Sequence, residues 1–518
     1  MQLRRAALPA AVLLTTLAVL PASALVAPQW DTLRDAGQLA DDRSRFVVAS
    51  PRLDRVNQGV DTVVVAGETF ANTAESTARV NDRDVTATAY NAVTGAVRWT
   101  SPLEPADVNV DSQLAGFGIN EHNNNLYEVV NRSGNVLYRE RGVSNGQLGS
   151  AQATIAGATA KGAAIGNGSF IGIVGSQGGN ALVTVYQSGF PTLEFTSTPV
   201  PGTANAADIP VDSAPVSFGL GYERTILATG TTTGFGNPGD VWTAAYNFRT
   251  HALLWQRTWA SPDNRLDAGV AAEIGWVNAL PAGRQDVGFV AAKTFSPVTG
   301  WDIVVTAYDL STGLDVWSQV VRFNGTSGKD DLPVDLEFSR ATGTLYVTGS
   351  SDRAPTQDQD VIVLALDGAT GAQQAVAYAG GVTNGNDAPT QLIVTPDGQR
   401  VFVSADLAYS TAANGAQSAL LAYDAALLPY GRPEVGAAGS DFSAGVALNS
   451  TADRVFLGSS SPVTGSGLDH RATSYGIAAF APDVEPVVPE VPFAALLPLL
   501  AIAAAATVVV RRRRPVAA

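Results

Sequence analysis

The sequence predicts an all-β fold: a β-propeller of seven or eight four-stranded blades, eight preferred, followed by one C-terminal transmembrane helix. Three observations predict it. An apolar alternating run ending in Ala-Tyr-Asp or a near variant, a Thr-Gly turn, and a short run often closed by Trp return again and again. The aromatic or apolar position of this motif falls at Tyr186, Tyr246, Tyr308, Leu366, Tyr423 and Phe480, a period of about 57 to 62 residues, which marks a repeat architecture. Fifty-one Gly and 28 Pro are spread along 518 residues, as many short elements and many turns require.

The clearest copies run from Ala89 through Thr94-Gly95 to Trp99, and from Ala307 through Thr312-Gly313 to Trp317. Weaker ones lead from Ala245-Tyr246-Asn247 to Trp255, and through Asp367 to Thr370-Gly371. Each reads as a hairpin. Alternation gives a half-buried strand, Asn or Asp holds the turn through its side chain, and Gly supplies the left-handed backbone. Two more strands complete each unit. Expected first strands include Arg45 to Ser50, Leu114 to Ile119, Ala214 to Gly219, Ala272 to Asn278, Val334 to Arg340, Gln391 to Pro396 and Ser443 to Ser450. Second strands follow after short connections such as Thr395-Pro396-Asp397-Gly398. Four strands in up-and-down order make a blade, and radial repetition protects sheet edges. Two degenerate units are expected across residues 112 to 200. The last unit lacks a fourth strand, which the segment near Trp30 can provide as a clasp.

This motif resembles the PQQ-like (quinoprotein-like) propeller repeats of bacterial surface proteins, with Ala-x-Asp-x-x-Thr-Gly-x-x-x-Trp visible at Ala307 to Trp317. The likeness spans roughly residues 40 to 481. It implies that Trp99, Trp255, Trp317, Gly95, Gly313 and Gly371 dock neighbouring blades. Quinone-dependent enzymes of that family use a vicinal Cys pair; this chain has no Cys, so PQQ is not expected and no cofactor is predicted. Disulfides and thiolate chemistry are excluded with it.

The formal charge is −15, and six of the positive charges are Arg4, Arg5 and Arg511 to Arg514, so the segment between them carries about −21. Such a surface repels phosphates, and no nucleic-acid partner is expected. Residues 1 to 24 read as a signal peptide: Arg4-Arg5, an apolar run from Ala6 to Leu20, then Ala22-Ser23-Ala24. Residues 25 to 480 form the ectodomain and 481 to 490 a Pro-rich acidic spacer. Val491 to Val510 is uncharged and matches a membrane span of about 20 residues. The basic tail 511 to 518 follows, and the cluster Arg511 to Arg514 is held on the cytoplasmic side. A monomer on the cell surface of a bacterium, single-pass with its ectodomain outside, is the expectation.

Only His122, His251 and His470 occur, each read as a loop residue, and no nucleophile elbow or phosphate loop is present. Asp330-Asp331 and Asp358-x-Asp360 read as solvated loop charge. Up-and-down order sorts the connections: tight Thr-Gly and Asp-Gly turns on one face, and on the other the polar loops Ala71 to Arg83, Thr231 to Asp240, Asp352 to Asp360, Leu407 to Gln417 and Ser459 to Thr473. Function is expected on the loop-rich face. There Asp111, Asp212, Asp267, Asp331, Asp387 and Asp441 each precede a first strand, and so ring the mouth of the central channel. Turn capping explains such residues. An axial cation site, for calcium, is the functional alternative. The sequence thus reads as a non-catalytic binding or scaffold module for a protein or glycan, with an extracellular carboxylate-dependent hydrolase or lyase acting on a polysaccharide as the alternative.

Overall fold

Alternating Val, Ala, Thr and Tyr build strands through the described residues of the unit Leu25–Phe480. The computed structural model describes residues 26–34, 42–50, 61–70, 83–101, 110–120, 125–166, 170–187, 193–197, 200–209, 225–232, 239–261, 265–279, 283–321, 330–352, 359–381, 385–411, 414–435, 440–463 and 467–480. The expected signal peptide, spacer, membrane span and basic tail lie outside the described residues. Among the described residues no helix is long and apolar enough to cross a membrane.

Strand β1 (Trp30–Arg34) comes first. The first antiparallel meander is β2 (Asp42–Ala49), β3 (Thr62–Phe70), β4 (Arg83–Asn91) and β5 (Val97–Thr100). The second is β6 (Ser112–Ile119), β7 (Asn125–Arg132), β8 (Asn135–Gly142) and β9 (Leu148–Ala156). The third is β10 (Ala158–Gly166), β11 (Phe170–Gln177), β12 (Asn180–Gln187) and β13 (Leu193–Thr196). The fourth is β14 (Val200–Asp208), β15 (Thr225–Thr232), β16 (Val241–Asn247) and β17 (Ala252–Trp259). The fifth is β18 (Asp267–Ala279), β19 (Gly283–Ser296), β20 (Gly300–Asp309) and β21 (Asp315–Val321). The sixth is β22 (Asp331–Ser339), β23 (Thr344–Asp352), β24 (Gln359–Asp367) and β25 (Gln373–Ala379). In the seventh, β26 (Ala388–Val394), β27 (Arg400–Thr411) and β28 (Asn414–Asp424) are followed by a split fourth strand, β29 (Pro429–Gly431) and β30 (Glu434–Val435). The last is β31 (Phe442–Leu448), β32 (Arg454–Val463) and β33 (Gly467–Gly476), and β1 completes its sheet by pairing antiparallel with β33.

Hydrogen bonding gathers these strands into seven sheets, because a short pairing of β12 with β14 fuses the third and fourth meanders into one sheet of eight strands. Apolar clusters lie between consecutive meanders. One joins the first to the second through Val64, Ala87 and Leu126; another joins the last to the first through Phe456, Val63 and Val65. The eight first strands also touch one another in a closed cycle, so they are innermost. The architecture is propeller-like and all-β.

Each first strand carries a β-bulge at its outset. The register slips between Ser44 and Phe46 in β2, and at the matching place in the seven others. A bulge sharpens the local twist and re-aims the side chains after it. Opposite it stand Gly67, Gly175, Gly230 and Gly349, where a Cβ would collide with the first-strand carbonyl of Arg43, Thr159, Thr203 or Leu332.

Two expectations are corrected. The first strand of the fourth meander is β14, Val200–Asp208, whereas Ala214 to Gly219 and Asp212 lie outside the described residues. Small residues dominate β14, and their weak apolar signal hides the strand. The segments 407 to 417 and 459 to 473 are largely strand: β27 runs on to Thr411 against β28, and β32 to Val463 against β33.

Candidate functional site

The turns between third and fourth strands carry the first set of positioned residues. Asn91 Oδ1 accepts the Val93 and Thr94 amides at 2.9 and 3.0 Å, and Gly95 follows at φ 70°. Asp309 does the same for Ser311 and Thr312, before Gly313 at φ 68°; Asp367 does so for Ala369 and Thr370, before Gly371 at φ 73°. The bare Gly face receives an indole from the preceding meander. Trp255 Nε1 donates to Leu310 O at 2.7 Å with its ring over Gly313, and Trp317 Nε1 donates to Gly368 O at 2.9 Å with its ring over Gly371. Trp99 donates to Val143 O and covers Gly146, while Trp30 of the clasp donates to Ala92 O and covers Gly95. At the junction of the third and fourth meanders Phe195 takes the Trp place and meets His251, which holds the turn position at φ 59°.

On the opposite side lie the aspartates that precede first strands. Asp111 is half-buried and paired through both oxygens with Arg83, at 2.7 and 2.8 Å, and that guanidinium also contacts Glu68. Its hydrogen bonds from Arg83 hold the Asp111 carboxyl below the usual range. Asp267 is fully buried and accepts Ser261 N at 2.7 Å and Thr294 Oγ1 at 2.5 Å; burial raises its pKa. Asp387 accepts the Gly381 and Ala408 amides, and burial pushes it up to about 6. Asp331 and Asp441 are buried as well. These side chains tie loops to strand starts. Asp331 is therefore no solvated loop charge, while Asp358 lies outside the described residues. Among the described residues no group of three or more His, Asp or Glu is arranged to hold a metal ion.

A second acid recurs at the junctions; of this set the sequence reading singled out only Asp360, and as solvated loop charge. Asp84, Asp240, Asp302, Asp360 and Asp469 stand six residues before Tyr90, Tyr246, Tyr308, Leu366 and Tyr475, at the outset of a third strand, so Tyr475 rather than Phe480 holds the repeat position of the last meander. The fixed spacing was the available signal. Backbone bonds bring this position beside the next meander's first-strand Asp: Asp267 N donates to Gly239 O, Asp387 N to Gln359 O, and Asp441 N to Ala416 O, each at 2.7 or 2.8 Å. The carboxylates of Asp360 and Asp387 both border Gly380.

The innermost strands hold a further acidic set. Third after the bulge stand Asp208, Glu273 and Glu337 in the fourth, fifth and sixth meanders, where the other meanders have Val48, Gly118, Ala164, Ile393 and Ala447. Asp208 accepts Ile274 N at 2.8 Å, and Asp335 accepts Leu392 N at 2.9 Å, each clamping the next meander's first strand. Burial, then mutual repulsion, raises Glu337 to about 8 and Glu273 well above its usual value, against the opposing charge of Arg340. Burial alone lifts Asp335 to about 6. The repeat's gross period does not show this acidic arc, because it needs the bulge to set the register.

Of the histidines, His122 lies outside the described residues and His251 is in a turn. His470 is not in a loop: it is wholly buried in β33, between Ser44 Oγ at 2.7 Å and Thr86 Oγ1 at 2.8 Å.

No protein-family description matches the chain, and no curated protein does. Solved structures do. Sqt1 of Chaetomium thermophilum, solved bound to the N-terminus of ribosomal protein L10, is 9% identical with a TM-score of 0.54 over 85% of this chain and 98% of its own. The Dos1 propeller is 8% identical, TM-score 0.51, over 87% of this chain and 95% of its own. A europium-containing methanol dehydrogenase is 11% identical, TM-score 0.50, over 87% and 93%. At such identity the likeness establishes a shared propeller-like fold, one used both by binding proteins and by enzymes.

Proposed function

We propose that the eight meanders are the blades of an eight-bladed β-propeller, displayed at the cell surface by the C-terminal apolar segment, which acts as a non-catalytic binding module for a protein or glycan partner. The observation that carries this reading is the sorting of connections. Every described third-to-fourth turn with Asn or Asp and a left-handed Gly is short and used for packing, which leaves the opposite side as the one for a partner. Strand β33 ends at Gly476 on the tight-turn side, opposite the loop-rich side. The carboxylates at strand starts act as internal clamps in this reading.

One observation favours a second reading. Glu337, held near pKa 8 beside other carboxylates of the innermost strands, has the protonation state of a general acid at neutral pH, as a hydrolase or lyase acting on a polysaccharide requires. Residues 25 to 480 are screened against extracellular proteins and polysaccharides, as wild type and as Glu337→Gln. Stoichiometric binding unchanged by the substitution supports the binding module. Turnover abolished by Glu337→Gln supports the hydrolase or lyase and contradicts the first reading.

A further inference from the structure

The paired aspartates at the meander junctions raise a question of charge. At the first junction Arg83 lies against Asp111, so the protein supplies its own cation. At the sixth, Asp387 has the opposing charge of Arg432. At the seventh the third-strand acid is replaced by Gln417. Among the described residues no opposing charge acts on the Asp267 of the fourth junction. Asp240 is 6% exposed and Asp267 is fully buried. Asp240 Oδ1 is sealed from solvent with no hydrogen-bond partner among the described residues, and the charge that acts most on Asp267 is the negative one of Asp240. Asp267 N bonded to Gly239 O at 2.8 Å holds the two residues together. A buried, unpaired carboxylate oxygen in the field of a second carboxylate is costly unless something positive completes it.

We propose that Asp240 and Asp267 form a site for a hard divalent cation, Ca2+, wedged between the fourth and fifth meanders on the loop-rich side. Oxygen-only donors suit Ca2+, which takes six to eight oxygens in flexible geometry and accepts backbone and hydroxyl oxygens beside carboxylates. Ser261 N and Thr294 Oγ1 donate to Asp267, one to each oxygen, and orient that carboxylate. Two carboxylates rather than three or four place the affinity in the weak class of extracellular modules, about 0.1–1 mM. The ion would pin the start of β16 to the start of β18, and so lock one blade against the next.

The test uses the full-length chain stripped with EDTA, and CaCl2 as the probe up to about 10 mM. Ca2+ is expected to raise the melting temperature and to bind stoichiometrically by equilibrium dialysis. Asp240→Asn should lose one equivalent, and in EDTA it should melt no lower than wild type, because it removes an unpaired buried charge. Absence of Ca2+ binding by wild type, equal binding by Asp240→Asn, or a melting shift reproduced by NaCl of equal ionic strength overturns the proposal. So does an Asp240→Asn protein that melts well below wild type in EDTA, since the carboxylate is then a structural hydrogen-bond group.

Discussion

Replacing Gly371 with Ala adds one methyl group to a turn whose backbone stands at φ 73°. The conformation alone costs an L-residue about 1–2 kcal/mol. The new Cβ would also lie 2.5 Å from Trp317 Cε3, about 1 Å inside normal carbon contact, so the indole must withdraw. That ring is 8% exposed and donates to Gly368 O at 2.9 Å, and its complete removal costs about 3–5 kcal/mol. Gly371→Ala should therefore destabilise by roughly 3 kcal/mol in the wild type. In a Trp317→Ala background the clash is gone, and only the conformational cost of about 1–2 kcal/mol remains. A double-mutant cycle followed by urea and thermal unfolding should show a coupling of about 1–3 kcal/mol between the two sites. An equal cost of Gly371→Ala in both backgrounds would refute the claim that the glycine is there to receive the indole.

Further outcomes follow from buried and strained positions. The one Ser44 hydroxyl proton goes to Ser459 O, so His470 donates from Nδ1 to Ser44 and accepts at Nε2 from Thr86. Burial lowers its pKa to about 4 from 6.5, so the folded state binds fewer protons than the unfolded one between those values. Stability from this neutral ring is complete above pH 6.5 and is lost as pH falls toward 4, by about 3 kcal/mol. The stability gap between wild type and His470→Gln should narrow by that amount over this range in denaturant titrations, and a constant gap contradicts the assignment. Ala452 stands at φ 52° in a first-to-second-strand turn, where the sixth and seventh meanders have Gly343 and Gly398 at φ 72° and 70°. Ala452→Gly should raise stability by about 1 kcal/mol in thermal melts, and a fall would show that the turn carries no backbone strain.

The third-to-fourth-strand hairpin was legible because its chemistry is local: Asp309, Thr312 and Gly313 fix the turn within five residues, and Trp317 follows at constant spacing. Trp30 was readable as a clasp because the last repeat visibly ended at its third strand. Strand β14 was not legible, since Gly202, Ala204, Ala206 and Ala207 are small where neighbouring first strands crowd together, and smallness is no strand signal. The buried charges Glu128, Arg139 and Arg141 of β7 and β8 made the second meander look degenerate, though its first strand at Leu114 to Ile119 was readable, because in sequence they look like solvated positions. The paired acids escaped because the partners, such as Asp240 and Asp267, belong to different repeats and meet only when one meander stacks on the next.

Closure of the ring by β1 is the claim on which the sorting of loops and the stacking of meanders depend. The chain has no Cys, so an engineered pair is free of competing thiols. Thr32 and Ala472 are directly opposite in the β1–β33 register, where Cα atoms of antiparallel pairs lie about 4.5–5.5 Å apart, within disulfide reach. Mild oxidation of the Thr32→Cys, Ala472→Cys double variant should give a quantitative intramolecular disulfide that slows unfolding, while Thr32→Cys with Thr473→Cys, whose side chains point to opposite faces, should stay reduced. Failure of the first pair to form, or equal formation by both, would contradict the clasp.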